Sequence, residues 1–163
     1  MSESDGGKLS VVYVSGDQGM LDDVKGLWEE LNSMLLQCSV TFKPHFGTMT
    51  FEKRKLALLK KAEHGEIHVD VAVNQLGNQK VGYCISTINE QKEGEIESIF
   101  VEKDYRGSRI GDALMRKAMA WMDSKNVEKK LVSVSVGNEQ VFGFYGRYSF
   151  CPRRTLLEQT KSL

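Results

Sequence analysis

The chain has no net charge: 22 lysines and arginines balance 22 aspartates and glutamates across 163 residues. That balance removes the global basic field by which nucleic-acid-binding domains and membrane-surface proteins attract their partners, so neither a nucleic acid nor a membrane is expected as a partner. Only a local basic patch remains to hold something small and anionic. No apolar run approaches the length of about 18 residues that a membrane-spanning helix needs. Cysteines are few and unpaired in pattern: Cys38, Cys84 and Cys151 are odd in number and widely spaced, which argues against a disulfide framework or structural zinc and for reduced thiols. The histidines His45, His64 and His68 are equally scattered, so no metal is expected. The start, MSESDGGK, lacks the apolar core of a signal peptide. A cytoplasmic location is the expectation. There is no internal repeat, linker or low-complexity segment.

What is present is ordinary globular material, 40% hydrophobic and 27% charged. A chain of this length buries about two-thirds of its unfolded surface and needs no staple to hold a core. The reading is a flexible tail over residues 1–8 and a single domain over residues 9–163.

Periodicity sets the order of elements. Residues 9–14 (LSVVYV) form a β-branched strand, and Leu21, Val24, Leu27, Trp28, Leu31 and Met34 recur at steps of three and four, which predicts a helix over 20–34. Residues 36–48 are expected to loop, and residues 51–62 form a basic helix capped by Thr50. A hairpin follows, with strands over 66–73 and 80–88 about an Asn-x-x-Gly-Asn turn. A third strand covers 95–101, a helix about 108–124, a strand 130–136, a short helix 138–147 and a last strand 154–159. The predicted order is β-α-α-β-β-β-α-β-α-β, an α/β (α+β) fold with a mixed sheet. The strand–helix–strand unit near residues 95–136 is a right-handed crossover, so part of the sheet is parallel. The basic run 53–61 reads as a solvated helix face.

The most informative stretch is VEKDYRGSRIGDAL, residues 101–114, where an apolar strand enters an amphipathic helix through a glycine-bearing turn. Such a junction leaves backbone N–H groups unpaired at the positive end of the helix dipole, an arrangement that binds anions and phosphates above all. Gly107 permits an unusual dihedral, Gly111 leaves room for a bulky group over the first turn, and Arg106 adds a fixed charge. A turn whose glycines serve only the connection is the structural alternative. A dinucleotide fold would want Gly-x-Gly-x-x-Gly in its first strand–helix unit with an acidic residue about 20 positions on. A phosphate loop would want Gly-Lys-Ser/Thr. Neither pattern is here.

The segment IESIFVEKDYRGSRIGDALM resembles the coenzyme A-binding motif of the GCN5-related N-acetyltransferase (GNAT) superfamily. Its signature, Arg/Gln-x-x-Gly-x-Gly/Ala, falls on Arg106, Gly107, Ser108, Arg109, Ile110 and Gly111; the first and last positions match, and Arg109 replaces the middle glycine. A backbone N–H survives at any residue but proline, so a phosphate cradle can persist, with the arginine side chain either contacting or crowding a phosphate. A second segment, NEQVFGFYGRYSF, is similar to the family's later motif, with Asn138, Phe144, Tyr145 and Phe150 in register and Val141 and Ser149 in place of smaller residues.

The resemblance implies a GNAT-type sheet whose parallel central strands splay apart. It implies acetyl-coenzyme A as co-substrate, with the pantetheine arm against Ile99, Phe100 and Val101 and the pyrophosphate on residues 106–111. It further implies an N-acetyltransferase in which a primary amine attacks the thioester directly in a ternary complex, without metal or covalent intermediate. A small molecule, a peptide N-terminus or a lysine are all open as acceptor. Tyr145 matches the family's proton donor, with Tyr148 as substitute. Asn138 and Tyr145 are seven residues apart, two helical turns, and so share a face. Glu95 and Glu97 share a strand face with Ile99 and Val101 by the period of two, and Glu97 is the candidate base, acting directly or through water. His45 and Phe46 are candidates for acceptor contact, because the loop they occupy walls the acceptor site in the family. Many relatives pair, so a homodimer is open. A non-catalytic acyl-coenzyme A-binding module on the same fold is the alternative function.

Overall fold

Five strands, β1 (Val11–Gly16), β2 (Glu66–Asn74), β3 (Gln79–Ile88), β4 (Glu93–Val101) and β5 (Lys129–Val132), line up in sequence order in one sheet of the computed structural model, which describes residues 10–160. The expected tail, residues 1–8, lies outside the described residues. The first three pairings are antiparallel and the β4–β5 pairing is parallel, as a crossover demands.

Helices cover both faces. A 3-10 helix (Gln18–Val24), α1 (Lys25–Cys38), α2 (Lys43–Thr48) and α3 (Phe51–Glu63) precede β2; α4 (Ile110–Ser124) and α5 (Phe142–Gly146) flank β5 in sequence. The strands serve two cores. Tyr83 and Ile85 pack with Leu21, Trp28, Phe51 and Leu58, while Cys84 between them packs with Leu114, Ala118 and Met122, the alternation a two-sided strand requires. Ile110, Leu114, Ala118 and Met122 recur every fourth residue and are all buried, so α4 presents one continuous apolar stripe to the sheet. Glycine at position 82 sets how closely α4 lies: a Cβ there would stand 3.3 Å from the side chains of Ile110 and Leu114 and 3.1 Å from the Phe100 carbonyl.

Several elements depart from the sequence expectation. The helix predicted over 20–34 divides into the 3-10 helix, opened by Asp17 accepting from the Gly19 N–H at 2.8 Å, and the later-starting α1. The loop over 36–48 contains α2, whose first turn holds Pro44, where a missing N–H costs nothing. The helix over 138–147 is a 3-10 turn (Glu139–Val141) followed by the short α5. β5 ends at Val132 rather than 136. No strand forms over 154–159 among the described residues: Leu156 and Leu157 are 87% and 88% exposed, and two adjacent leucines break the alternation a one-sided strand needs.

Candidate functional site

The parallel ladder between β4 and β5 is short. It runs from Glu93 opposite Lys129 to Ile96 opposite Val132 and stops there, whereas β4 continues to Val101, paired only with β3. Ile99, Phe100 and Val101 therefore lie on a strand whose β5 side carries no ladder, the splay that the resemblance implies.

The β3–β4 register slips at the same place. Ile85 faces Ser98 and Ser86 faces Ile96, so Glu97 is an extra residue, a β-bulge. The bulge resets the alternation and corrects the expected facing. Glu95 and Glu97 reach the cations of α3, whereas Ile99 and Val101 pack with the α4 core.

Beyond Val101 the chain makes a 3-10 turn (Lys103–Tyr105), in which the N–H groups of Tyr105 and Arg106 donate to Glu102 and Lys103 at 3.0 and 3.2 Å. From Gly107 to Asp112 no amide has a protein acceptor among the described residues; pairing resumes with the Ala113 N–H donating to Arg109 at 3.0 Å. Gly107 and Arg109 both occupy the left-handed region, at φ of 81° and 64°, which folds successive N–H groups into a concave nest at the start of the 15-residue α4. This conformation accounts for the glycine usual at position 109 and shows what the arginine alters: strain, with the N–H retained. Arg109→Gly is expected to stabilise the fold by about 0.5–1 kcal/mol, the left-handed penalty less the chain entropy glycine adds, read as a small rise in Tm by thermal denaturation.

The side chains around the nest are tied to the protein. The Arg106 Nε donates to the Val101 carbonyl at 2.9 Å and its guanidinium lies 5.3 Å from the centre of the Phe100 ring, so its charge is folded back along β4. Ser108 donates to the Tyr105 carbonyl. At Gly111 the bulky neighbour is internal: a Cβ would meet Phe144 at 3.4 Å.

α5 brings in Tyr145, 9% exposed, edge-on to Phe144 and Phe150 with ring centres 5.3 and 6.1 Å apart. Its hydroxyl has no hydrogen-bond partner among the described residues. It lines a cleft of about 1090 Å³ bounded by β5, α5 and the segment 149–156 and reaching Glu95. Burial pushes the phenol pKa well above its ordinary value, so the group stays protonated across the physiological range. Tyr148 is differently employed. Its hydroxyl donates to Asp112, which Arg147 also meets at 3.2 Å, and the three residues pin α5 to the first turn of α4. Asn138 is buried at the start of the 3-10 turn and accepts from Gln140, so it does not stand two turns before Tyr145 on one continuous α-helix.

The two β4 carboxylates differ sharply. Glu97, with a side chain 2% exposed, accepts from Arg54 at 2.8 Å, from Thr87 at 2.6 Å and from Lys61. Burial pushes its carboxyl up, but Lys61, Thr87 and the Arg54 charge outweigh burial and hold it below the ordinary carboxylate value. Glu95 has one partner, Lys61 at 2.9 Å, and a side chain 32% exposed. With Leu131 it lines both the large cleft and a neighbouring cavity of about 310 Å³ beside His64 and Glu90.

Arg54 and Lys61 correct the reading of the basic run as a wholly solvated face. The signal was available in their spacing: seven residues place both on one face of α3, opposite two carboxylates spaced two apart on a strand. His45 and Phe46 sit on α2, where the Phe46 carbonyl accepts from Asn32 at 2.9 Å, and neither lines the two cavities.

The profile of the acetyltransferase (GNAT) family matches residues 28–150. An uncharacterized N-acetyltransferase of Methanocaldococcus jannaschii is 31% identical over 64% of this chain, and the chain spans about half, 50%, of that relative's length. Among solved structures, an aminoglycoside N-acetyltransferase in complex with coenzyme A superposes with a TM-score of 0.69 at 11% identity, covering 96% of this chain and 99% of that one. Glucosamine-6-phosphate N-acetyltransferase from Arabidopsis thaliana gives 0.58 at 17% identity over 94% and 99% of the two chains. A Trypanosoma brucei acetyltransferase gives 0.61 at 18% over 93% and 99%. The chain belongs to the GNAT acetyltransferase family. Among the described residues, no helix is long and apolar enough to cross a membrane.

Proposed function

We propose that the protein is an N-acetyltransferase that takes its acetyl group from acetyl-coenzyme A and delivers it to a primary amine. The observation that carries this reading is the coincidence of two openings: a run of amides without acceptors at residues 107–112, and a β4 edge without a ladder immediately before it. The nest and helix dipole suit a diphosphate, and the ladder-free edge of Ile99, Phe100 and Val101, on which the exposed Arg106 side chain holds the Val101 carbonyl, suits an extended amide-bearing arm. When bound there, acetyl-coenzyme A supplies an acetyl group activated as a thioester.

The residues around that position divide the proton work. Tyr145 offers a phenolic O–H into the cleft with no competing partner, and burial that raises its pKa raises that of a leaving thiolate in the same surroundings, so the two remain matched. An incoming ammonium must lose a proton. Glu97 is committed to three partners and held a weak base, so it serves here to fix Arg54 and Lys61. Glu95, singly paired and open to the cleft, takes the proton through water.

A thiol-release assay with acetyl-coenzyme A and a panel of primary amines tests the reading. Amine-dependent release is the expected result. Saturable binding of acetyl-coenzyme A, seen as a thermal shift, without turnover on any amine would favour a sensing module instead.

A further inference from the structure

The cleft that holds both Tyr145 and Glu95 also holds two arginines, Arg153 and Arg154. The other cations on its wall are committed: Lys129 pairs with Glu93 and Lys130 with Asp123 at 2.7 Å. Arg153 and Arg154 have no carboxylate within salt-bridge distance among the described residues, and both are exposed. The cleft they line includes none of residues 106–111, the amides proposed to hold the diphosphate. Arg153 is near enough to Glu93 for its charge to act on that carboxylate, after the larger influences of Lys129 and Asn89. That places it at the N-terminal end of β4, whereas the amide nest follows the C-terminal end at Val101. The bulge at Glu97 lies between the two.

We infer that Arg153 and Arg154 select the acceptor: the amine that enters this cleft carries an anionic group, a carboxylate or a phosphate, which the two guanidinium groups hold while Glu95 faces the amine. The inference rests on the proposed transfer to an amine and adds the chemical class of the acceptor. Guanidinium groups without partners present forked donors that match either oxyanion, and the chain's overall neutrality makes such a local pair the means of attraction left to it. An amine without an anionic group would find Glu95, already occupied by Lys61, and the exposed Glu128, but no use for the two guanidinium groups.

Matched pairs of acceptors test this on the full chain: O-phosphoethanolamine against ethanolamine, and 4-aminobutyrate against putrescine. The anionic member of each pair is expected to show a KM about tenfold below its neutral or cationic partner, and the comparison between pairs separates phosphate from carboxylate. In the double variant Arg153→Gln/Arg154→Gln that advantage is expected to vanish, with the KM of ethanolamine and of acetyl-coenzyme A unchanged. Equal or better use by the parent chain of the amines that lack an anionic group, or in the double variant a KM rise shared by both members of a pair, overturns the inference and leaves the proposed transfer standing. If no amine is turned over, the proposed transfer falls. The arginine site is then read from binding alone, by a thermal shift with O-phosphoethanolamine that the double variant loses; no shift in the parent chain overturns it.

Discussion

Glu97→Ala is expected to destabilise the protein by about 3 kcal/mol in denaturant unfolding, because it strands Arg54, 23% exposed, and takes from Lys61 one of its two carboxylates, leaving Glu95. Arg54 and Lys61 both converge on a carboxylate whose side chain is 2% exposed, and Lys61, itself 45% exposed, recovers part of the loss through water. The effect carries a pH signature. The folded-state pKa of Glu97 is depressed, so the stability its pairing contributes is fully present above the unfolded value of about 4.3 and is lost as pH falls through the lower folded value. The parent chain should therefore lose stability on acidification below about pH 4 more steeply than Glu97→Ala, which has already lost that contribution. Parallel acid titrations of the two proteins would contradict the assignment.

Tyr145→Phe is expected to lower kcat by about 10²–10³-fold while leaving the KM for acetyl-coenzyme A and the melting temperature nearly unchanged. The substitution removes one oxygen that has no protein partner among the described residues and keeps the ring that packs on Phe144 and Phe150. A merely structural tyrosine would show the reverse pattern, stability moving and turnover holding. Because burial lifts the phenol above its ordinary value of 10.0, the parent enzyme should show no alkaline loss of activity from this group below about pH 10. A fall in kcat of less than threefold would remove Tyr145 from the chemistry.

What could be read from the chain in advance was whatever depends on local spacing. The stripe Ile110, Leu114, Ala118 and Met122 announces α4, and the glycine-bearing turn announces a strand entering a helix. The resemblance carried the family and the splay, and the structure adds why position 109 favours glycine, a φ of 64°. The features that escaped depend on partners distant in sequence. A bulge is a property of two strands together, so nothing in EGEIESIFV marks Glu97 as the extra residue, and the facing of Ile99 and Val101 was misread for that reason. The spacing of Arg54 and Lys61 marks a shared face of α3, but not that β4 lies against that face with its carboxylates. The last strand failed because propensity without a paired neighbour does not hold a strand, and β5 offers only four residues.

The account stands on amides 107–112 and the open edge of β4 acting together on one ligand. Amide chemical-shift mapping of the uniformly ¹⁵N-labelled chain during titration with coenzyme A tests this directly. The largest changes are expected at Gly107, Ser108, Arg109, Ile110 and Gly111 and at Ile99, Phe100 and Val101, saturating with one common dissociation constant. Saturable changes confined to other parts of the chain, or a titration that leaves residues 99–111 unmoved, would contradict it.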